Sequence, residues 1–91
     1  MIYEWDDEKD AANLRKHGFP LRVAEYALAD EKRIEMVDDR FEYGETRIKA
    51  ICSLHEKVVV VVIYTDRKEV RRIISIRSAN KKERRLYYGN R

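Results

Sequence analysis

The amino-acid sequence predicts an α+β fold with two N-terminal helices, an antiparallel β-sheet and one C-terminal helix. Three observations support this prediction. Apolar residues recur at helical spacing up to Asp30, they alternate with polar residues after it, and the later strands are joined by short turns. A chain of 91 residues has room for one hydrophobic core, so we expect residues 1–91 to form a single domain.

The N-terminal elements are predicted from capping chemistry. Residues 2–5 indicate a short strand, and Asp6 is a suitable N-cap for a helix that ends at Gly18. Pro20 suits the first turn of a second helix, because that turn does not need its missing N–H. The buried stripe of this helix is expected to contain Val23, Ala24, Ala27 and Leu28.

The strands of the sheet are predicted from period-two patterns. Residues 33–37 and 47–52 alternate between apolar and polar, and the second of these strands is expected to bury one face. Residues 38–44 between them are polar and turn-like. Residues 58–63 are continuously apolar, which is typical of a central strand covered on both faces.

The last third of the chain is predicted to be a turn, a strand and a helix. We expect the turn at 65–68, the strand at 70–77 and a basic helix at 80–88. Residues 67–91 carry ten Lys and Arg against two acids, a net charge of +8, whereas residues 1–66 carry −5. Such one-sided charge attracts polyanions, so the sequence indicates a nucleic-acid partner.

Several classes of protein do not fit the sequence. Cys52 is the single cysteine, which excludes an internal disulfide and a zinc site built from cysteines. The acidic N-terminal segment does not resemble a signal peptide, and the longest apolar run is too short to cross a bilayer. We therefore expect a cytoplasmic protein without membrane contact. We find no motif for a metal or cofactor and expect neither.

Arginines in the predicted last strand are candidate phosphate ligands. An Arg side chain matches phosphate oxygens with two parallel hydrogen bonds and stays charged at any working pH. In a regular strand Arg71 and Arg77 would share one face, and Arg72 would lie on the other. Arg67 precedes them. For each arginine the alternative is a salt bridge to a carboxylate of the N-terminal part of the chain.

The predicted C-terminal helix adds further candidates. Asn80 and Glu83 have the spacing of a capping box, and the alternatives for Glu83 are a general base or a carboxylate that orients an arginine. Tyr87 or Tyr88 can stack on a base, or dock the helix on the sheet. The basic residues expected to follow an RNA backbone are Lys81, Lys82, Arg84 and Arg85, together with Arg71 of the strand.

Three other polar features are interpreted as structural. His17 lies in the last turn of the first helix, where a histidine usually satisfies the helix dipole. His55 lies in a predicted turn and is expected to be solvated. Glu45 and Arg47, at the start of the third strand, are expected to pair across strands.

The sequence resembles the BrnT family of type II toxins over nearly its whole length. The likeness rests on Trp5-Asp6, 13–18, Asp30, 44–47, 64–67, 72–79, Glu83-Arg84 and Tyr87. The chain departs from the usual family pattern at Phe19-Pro20-Leu21 and at Ile76-Arg77-Ser78. The resemblance implies a RelE-like fold and an endoribonuclease that inhibits translation. It also implies a BrnA-like antitoxin with a ribbon-helix-helix DNA-binding part, through which the toxin contacts promoter DNA indirectly.

A metal-independent ribonuclease of this kind uses the RNA 2′-hydroxyl as the nucleophile and leaves a 2′,3′-cyclic phosphate. The protein must remove the hydroxyl proton, stabilise the charge on phosphorus and protonate the departing oxygen. The expected catalytic residues are Arg67, Arg72, Arg77, Glu83 and Tyr87. The three arginines would bind the phosphoryl oxygens, Glu83 would be the base, and Tyr87 or a lysine would be the acid.

Two other functions remain open at this point. The basic surface also suits a non-catalytic module that binds RNA or DNA. It also suits a protein-interaction module that docks an acidic partner, and weak salt dependence of RNA binding would favour this last function.

Overall fold

The computed structural model of the chain describes residues 1–40 and 44–89. Part of the predicted turn at 38–44 therefore lies outside the described residues. The elements in chain order are β1 Ile2–Glu4, α1 Asp7–His17, a 3₁₀ helix Leu21–Val23, α2 Ala24–Ala27, β2 Ile34–Val37, β3 Ile48–Leu54, β4 Val58–Arg67, β5 Val70–Ser78 and α3 Lys81–Gly89. The α+β class is confirmed. Among the described residues, no helix is long and apolar enough to cross a membrane.

The first helix begins and ends where its capping residues predict. The Asp6 carboxylate accepts hydrogen bonds from the backbone N–H groups of Glu8 and Lys9, at 2.9 and 3.0 Å. Gly18 has a φ of 81°, a left-handed conformation that glycine adopts without steric cost. The second helix is shorter than expected, because the chain after Pro20 first forms the 3₁₀ helix and α2 contains only four residues.

The five strands have the order β1-β5-β4-β3-β2. Strands β2 to β5 form the predicted antiparallel meander. The prediction of an antiparallel sheet is wrong for β1, which pairs parallel to β5 with Ile2 opposite Val70. No hairpin links β1 to β5, so no short turn constrains their relative direction, and the sheet is mixed.

Both faces of the sheet are covered. One face packs against the 3₁₀ helix and α2, with Leu21 and Ala24 in its core, and the other packs under Tyr87 of α3. Strand β4 contributes to both cores, as expected for the central strand. The prediction of one buried face for β3 is wrong, because Ile51 is fully buried on the side that α3 covers.

A β-bulge changes which arginines of β5 share a face. Ser75 pairs with Ile63 and Ile73 pairs with Tyr64, so Ile74 is an extra residue in β5. The expectation that Arg71 and Arg77 share a face assumed a regular strand and is wrong. The extra residue shifts the alternation, so Arg72 lies on the same face as Arg77, and Arg71 lies on the opposite face with Tyr64.

The turn before β5 is also shorter than predicted. Strand β4 continues through Arg67, so the expected turn at 65–68 is wrong in its position. The chain reverses instead at Lys68 and Glu69, and Lys68 has a positive φ of 57°. The two-residue connection matches the tight turns that join antiparallel strands.

A side chain of helix α1 hydrogen-bonds to the backbone of β5 beyond the end of β1, at the edge of the sheet. The side-chain amide of Asn13 donates to the carbonyl oxygen of Ile76 at 2.8 Å and accepts from its N–H at 3.3 Å. The same amide donates to the carbonyl oxygen of Phe19 at 2.8 Å. Asn13 is 7% exposed. One side chain thus takes the place of a neighbouring strand beside β5, immediately before Arg77.

Candidate active site

A group of charged side chains between the sheet and α3 is centred on Glu83. Arg77 of β5 donates two hydrogen bonds to the Glu83 carboxylate, with N···O distances of 2.8 and 2.9 Å. The Arg77 side chain is 33% exposed, whereas the Glu83 side chain is 7% exposed. The carboxylate is therefore buried and the guanidinium is held at the surface with part of its donor edge open to solvent.

Lys49 of β3 is the third member of this group. Its Nζ lies 2.8 Å from Glu83 Oε2, and its side chain is 27% exposed. Two cations thus share one carboxylate, which leaves one unit of positive charge at the surface. We call Lys49, Arg77 and Glu83 the cationic triad. A partly desolvated cationic group of this kind attracts a phosphate more strongly than isolated surface lysines do.

The helix that carries Glu83 begins with the predicted capping box. The Asn80 N–H donates to Glu83 Oε1, and the Glu83 N–H donates to Asn80 Oδ1, both at 2.8 Å. The hydrogen bond from Arg77, aided by those from Lys49 and Asn80, lowers the pKa of Glu83 from 4.5 to about 2. Such a carboxylate is a weak proton acceptor near neutral pH. The contacts favour the capping and orienting roles of Glu83 over the role of general base.

Arg72 and Arg67 have carboxylate partners of their own. Arg72 donates to Glu4 of β1 at 2.8 Å, and its side chain is 28% exposed. Arg67 of β4 pairs with Glu45 at 3.0 Å, so Glu45 makes the expected pair with a neighbouring strand. Both arginines are partly exposed, so their salt bridges leave them accessible to an anion.

Arg71 is separated from the cationic triad by the sheet. Its guanidinium lies 4.1 Å above the centroid of the Tyr64 ring and donates to Asp66 at 2.8 Å. The Tyr64 hydroxyl in turn donates to Glu35. Arg71 thus belongs to a network on the face opposite to Arg77, which disfavours its predicted contact with the same RNA backbone.

Tyr87 is buried and its hydroxyl already has an acceptor. It is 2% exposed and donates to Asp30 Oδ2 at 2.6 Å. Asp30 also accepts from the N–H of Ser53 at 2.9 Å. These contacts favour the docking alternative, in which Tyr87 holds α3 on the sheet, over the role of general acid.

The basic residues of α3 are exposed. Lys81, Lys82 and Arg85 point to solvent, as does Arg84, although one of its nitrogens donates to the Ala79 carbonyl oxygen at 2.9 Å. They begin next to Glu83, so they extend the positive surface from the cationic triad along the helix. This arrangement suits binding along a polyanion.

Two residues beside Arg77 were not predicted as site residues. Lys49 was interpreted only as a polar position of an alternating strand, and nothing in its local sequence indicates its contact with Glu83. His17 was interpreted as a helix-end residue. The imidazole of His17 is half-buried, and this burial, aided by the positive charges of Lys16 and Arg77, lowers the pKa of His17. A histidine that is neutral at pH 7 can accept a proton.

The described residues contain no group of three or more His, Cys, Asp or Glu side chains arranged to hold a metal ion. The side chains of the cationic triad are an arginine, a lysine and a carboxylate. They can bind an anion, orient it and exchange protons with it.

Comparison with known proteins connects this geometry to a family. Residues 5–83 match the family model described as "Ribonuclease toxin, BrnT, of type II toxin-antitoxin system". The chain belongs to the BrnT family. The matched segment includes the three residues of the cationic triad, Asn13 and His17.

A solved structure supports the BrnT assignment. The fold is similar to that in the 1.1 Å crystal structure of the Brucella abortus ribonuclease toxin BrnT, with a TM-score of 0.64 and 25% sequence identity. The similarity covers 89% of this chain and 100% of that chain. No curated protein sequence matches the chain. A type II toxin of the BrnT family has an RNA substrate and an antitoxin partner.

Proposed function

We propose that this BrnT-family protein is a metal-independent endoribonuclease that cleaves RNA at the cationic triad and thereby inhibits translation. The observation that carries the proposal is that Arg77 and Lys49 are held on one buried carboxylate, Glu83, at 2.8 Å each. A preformed cationic group needs little reorganisation when negative charge develops on a phosphate, which is the main requirement of phosphodiester cleavage.

Each member of the cationic triad has a role in this mechanism. Arg77 binds the non-bridging phosphoryl oxygens through its exposed donors, while Glu83 fixes the direction of the guanidinium. Arg72 lies on the same face but four residues further along β4 than Arg77, and Arg67 lies further again, so both extend the positive surface away from the cationic triad. The exposed lysines and arginines of α3 bind the RNA backbone on either side of the cleaved bond.

The proton transfers are assigned to His17 and Lys49. Glu83 has a pKa of about 2 and the Tyr87 hydroxyl is engaged by Asp30, so neither is our first choice. His17 removes the proton of the 2′-hydroxyl, whose oxygen attacks phosphorus. The bond from phosphorus to the 5′ oxygen breaks, and Lys49 protonates that oxygen. The products are a 2′,3′-cyclic phosphate and a 5′-hydroxyl.

The fold and partners complete the proposal. The antiparallel meander of β2–β5 with α3 packed across one face supports assignment to the RelE-like fold. We assign the antitoxin to the BrnA-like class with a ribbon-helix-helix part, so that promoter DNA is contacted only through the antitoxin. Because the substrate is cellular RNA, we assign the protein to the cytoplasm.

The test is a cleavage assay on labelled RNA with purified protein in excess EDTA. Wild type should give fragments that end in 2′,3′-cyclic phosphate, and Arg77→Ala should lose nearly all of this activity. Arg22→Ala, an exposed arginine of the 3₁₀ helix outside the site, is the matched control and should cleave normally.

Two outcomes would overturn the proposal. RNA that is bound but left intact, also in the presence of ribosomes, would identify a non-catalytic binding module. Binding of RNA that is weak and insensitive to salt would identify a protein-interaction module instead, since phosphate contacts release counterions.

A further inference from the structure

A concave surface lies at the opposite end of α3 from Arg77. It is a cleft of about 620 Å³ between the segment that follows α2, the turn between β3 and β4, and the last turn of α3. Ser53 lines the cleft and lies four residues beyond Lys49 on β3. The two sites are therefore about 13 Å apart along the strand. The cationic triad contributes no residue to the cleft.

The cleft presents aromatic rings to solvent. Tyr26 is 62% exposed and Tyr88 is 52% exposed, although large aromatic side chains usually bury most of their surface. The Tyr26 ring lies 6.5 Å from the His55 ring, and the Tyr88 ring meets Tyr87 edge-on at 5.3 Å. Two exposed rings on one concave surface indicate a binding site, because such surfaces are favourable to cover.

The charge of the cleft is opposite to that of residues 67–91. Asp30, Glu31 and Glu56 line it against a single lysine, Lys32, in a chain whose net charge is +3. Carboxylates repel the phosphates of a nucleic acid. Carboxylates beside tyrosine ring faces instead suit guanidinium and ammonium groups, which bind both.

The floor of the cleft is already ordered. Asp30 accepts from the Tyr87 hydroxyl at 2.6 Å and from the backbone N–H groups of Ser53 and Lys32 at 2.9 and 3.0 Å. A site whose parts are fixed before binding loses less conformational entropy when its partner arrives. Glu31 and Glu56 lie at its rim and are exposed.

We propose that this cleft binds an arginine- or lysine-bearing segment of the antitoxin. The inference deepens the proposed function, since it rests on the chain being a toxin with an antitoxin partner. Charge complementarity argues for this occupant: a basic segment is repelled by the cationic triad and attracted here. The antitoxin is therefore held at a place that the RNA substrate does not use.

Helix α3 connects the two sites. Glu83 in its first turn holds Arg77 and Lys49, whereas Tyr87 and Tyr88 in its last turn line the cleft. A partner in the cleft consequently contacts the helix that carries the carboxylate of the cationic triad. Binding there can hold the toxin while other parts of the antitoxin cover the RNA surface.

The test measures binding of the purified cognate antitoxin by calorimetry at low and high salt. The double variant Glu31→Lys/Glu56→Lys should weaken binding at least tenfold, and Tyr26→Ala should weaken it severalfold. Glu25→Lys, an exposed acid of α2 outside the cleft, is the matched control and should bind like wild type. Thermal unfolding of each variant confirms that the fold is intact.

RNA cleavage by the same variants separates this inference from the proposed function. For the double variant and Tyr26→Ala we expect unchanged cleavage and weaker neutralisation by the antitoxin, whereas Glu25→Lys should be neutralised like wild type. Unchanged antitoxin binding in the double variant would overturn the inference. So would weaker RNA binding by Tyr26→Ala with normal antitoxin binding, which would reassign the cleft to a nucleobase. Failure of wild type to cleave RNA would overturn the proposed function alone, because antitoxin binding by wild type and the cleft variants can be compared without any cleavage.

Discussion

Arg77 and Glu83 connect strand β5 to the first turn of helix α3 through two parallel hydrogen bonds of 2.8 and 2.9 Å. The pair is only six residues apart in sequence, and one intervening residue, Asn80, caps the helix that carries Glu83. The direction of the Arg77 side chain and the start of α3 are therefore fixed by the same carboxylate. A change at Glu83 must alter both stability and the site.

The stability contributed by Glu83 should depend on pH in a defined direction. The folded-state pKa of about 2 lies below the ordinary value of 4.5, so the ionised carboxylate favours folding above pH 4.5 and this contribution is lost between pH 4.5 and 2. A shift of this size corresponds to roughly 3 kcal/mol. Urea unfolding of wild type and Glu83→Gln should differ most near pH 7 and converge as the pH falls. A difference that stays constant down to pH 3 would contradict this prediction.

Tyr87→Phe should separate docking from catalysis. The variant keeps the ring that packs on the sheet but loses the hydrogen bond to Asp30, so the free energy of unfolding should fall by about 1 kcal/mol. Its kcat for RNA cleavage should stay within a factor of three of wild type. A loss of kcat of a hundredfold or more, without unfolding, would restore Tyr87 as the general acid.

His17 should set the acidic limb of the pH–rate profile. Burial and the charges of Lys16 and Arg77 lower its pKa from 6.5, so the neutral base is already formed at neutral pH. Cleavage should rise with pH through a pKa below 6.5 and then level off, and His17→Asn should remove this limb and reduce the rate about a hundredfold. A profile of the same shape in the variant would exclude His17 as the base.

Cys52 should be unreactive in the folded protein. Burial, aided by the charge of Asp30, raises the pKa of the Cys52 thiol to about 12, so almost no thiolate exists at pH 8. Alkylation by iodoacetamide at pH 8 should proceed only at the rate of unfolding, and urea should accelerate it strongly. Stoichiometric labelling within minutes under native conditions would show that β3 opens locally.

Local chemistry allowed much of the fold to be predicted. Asp6 and Gly18 bound α1 because capping and left-handed geometry each require particular residue types. The apolar run in β4 predicted a strand that is buried on both faces, and Asn80 with Glu83 predicted the start of α3. Each of these signals lies within a few consecutive residues.

Features that depend on distant contacts were not predicted. The bulge at Ile74, which moves Arg72 to the face of Arg77, depends on the register between two strands and not on the sequence of either one. Lys49 joins Glu83 only because β3 and α3 meet in the folded chain. The arginines of β5 were therefore identified as candidates by residue type, while their grouping was visible only in the structure.

The side chain of Asn13 has a consequence for how copies of the protein assemble. A strand edge with unpaired backbone groups is a template on which another chain can add a strand. Asn13 occupies both backbone groups of Ile76, and β1 covers residues 70–72 of the same edge. Extension of the sheet, whether by a partner strand or by misassembly, is thereby directed to the opposite edge at β2.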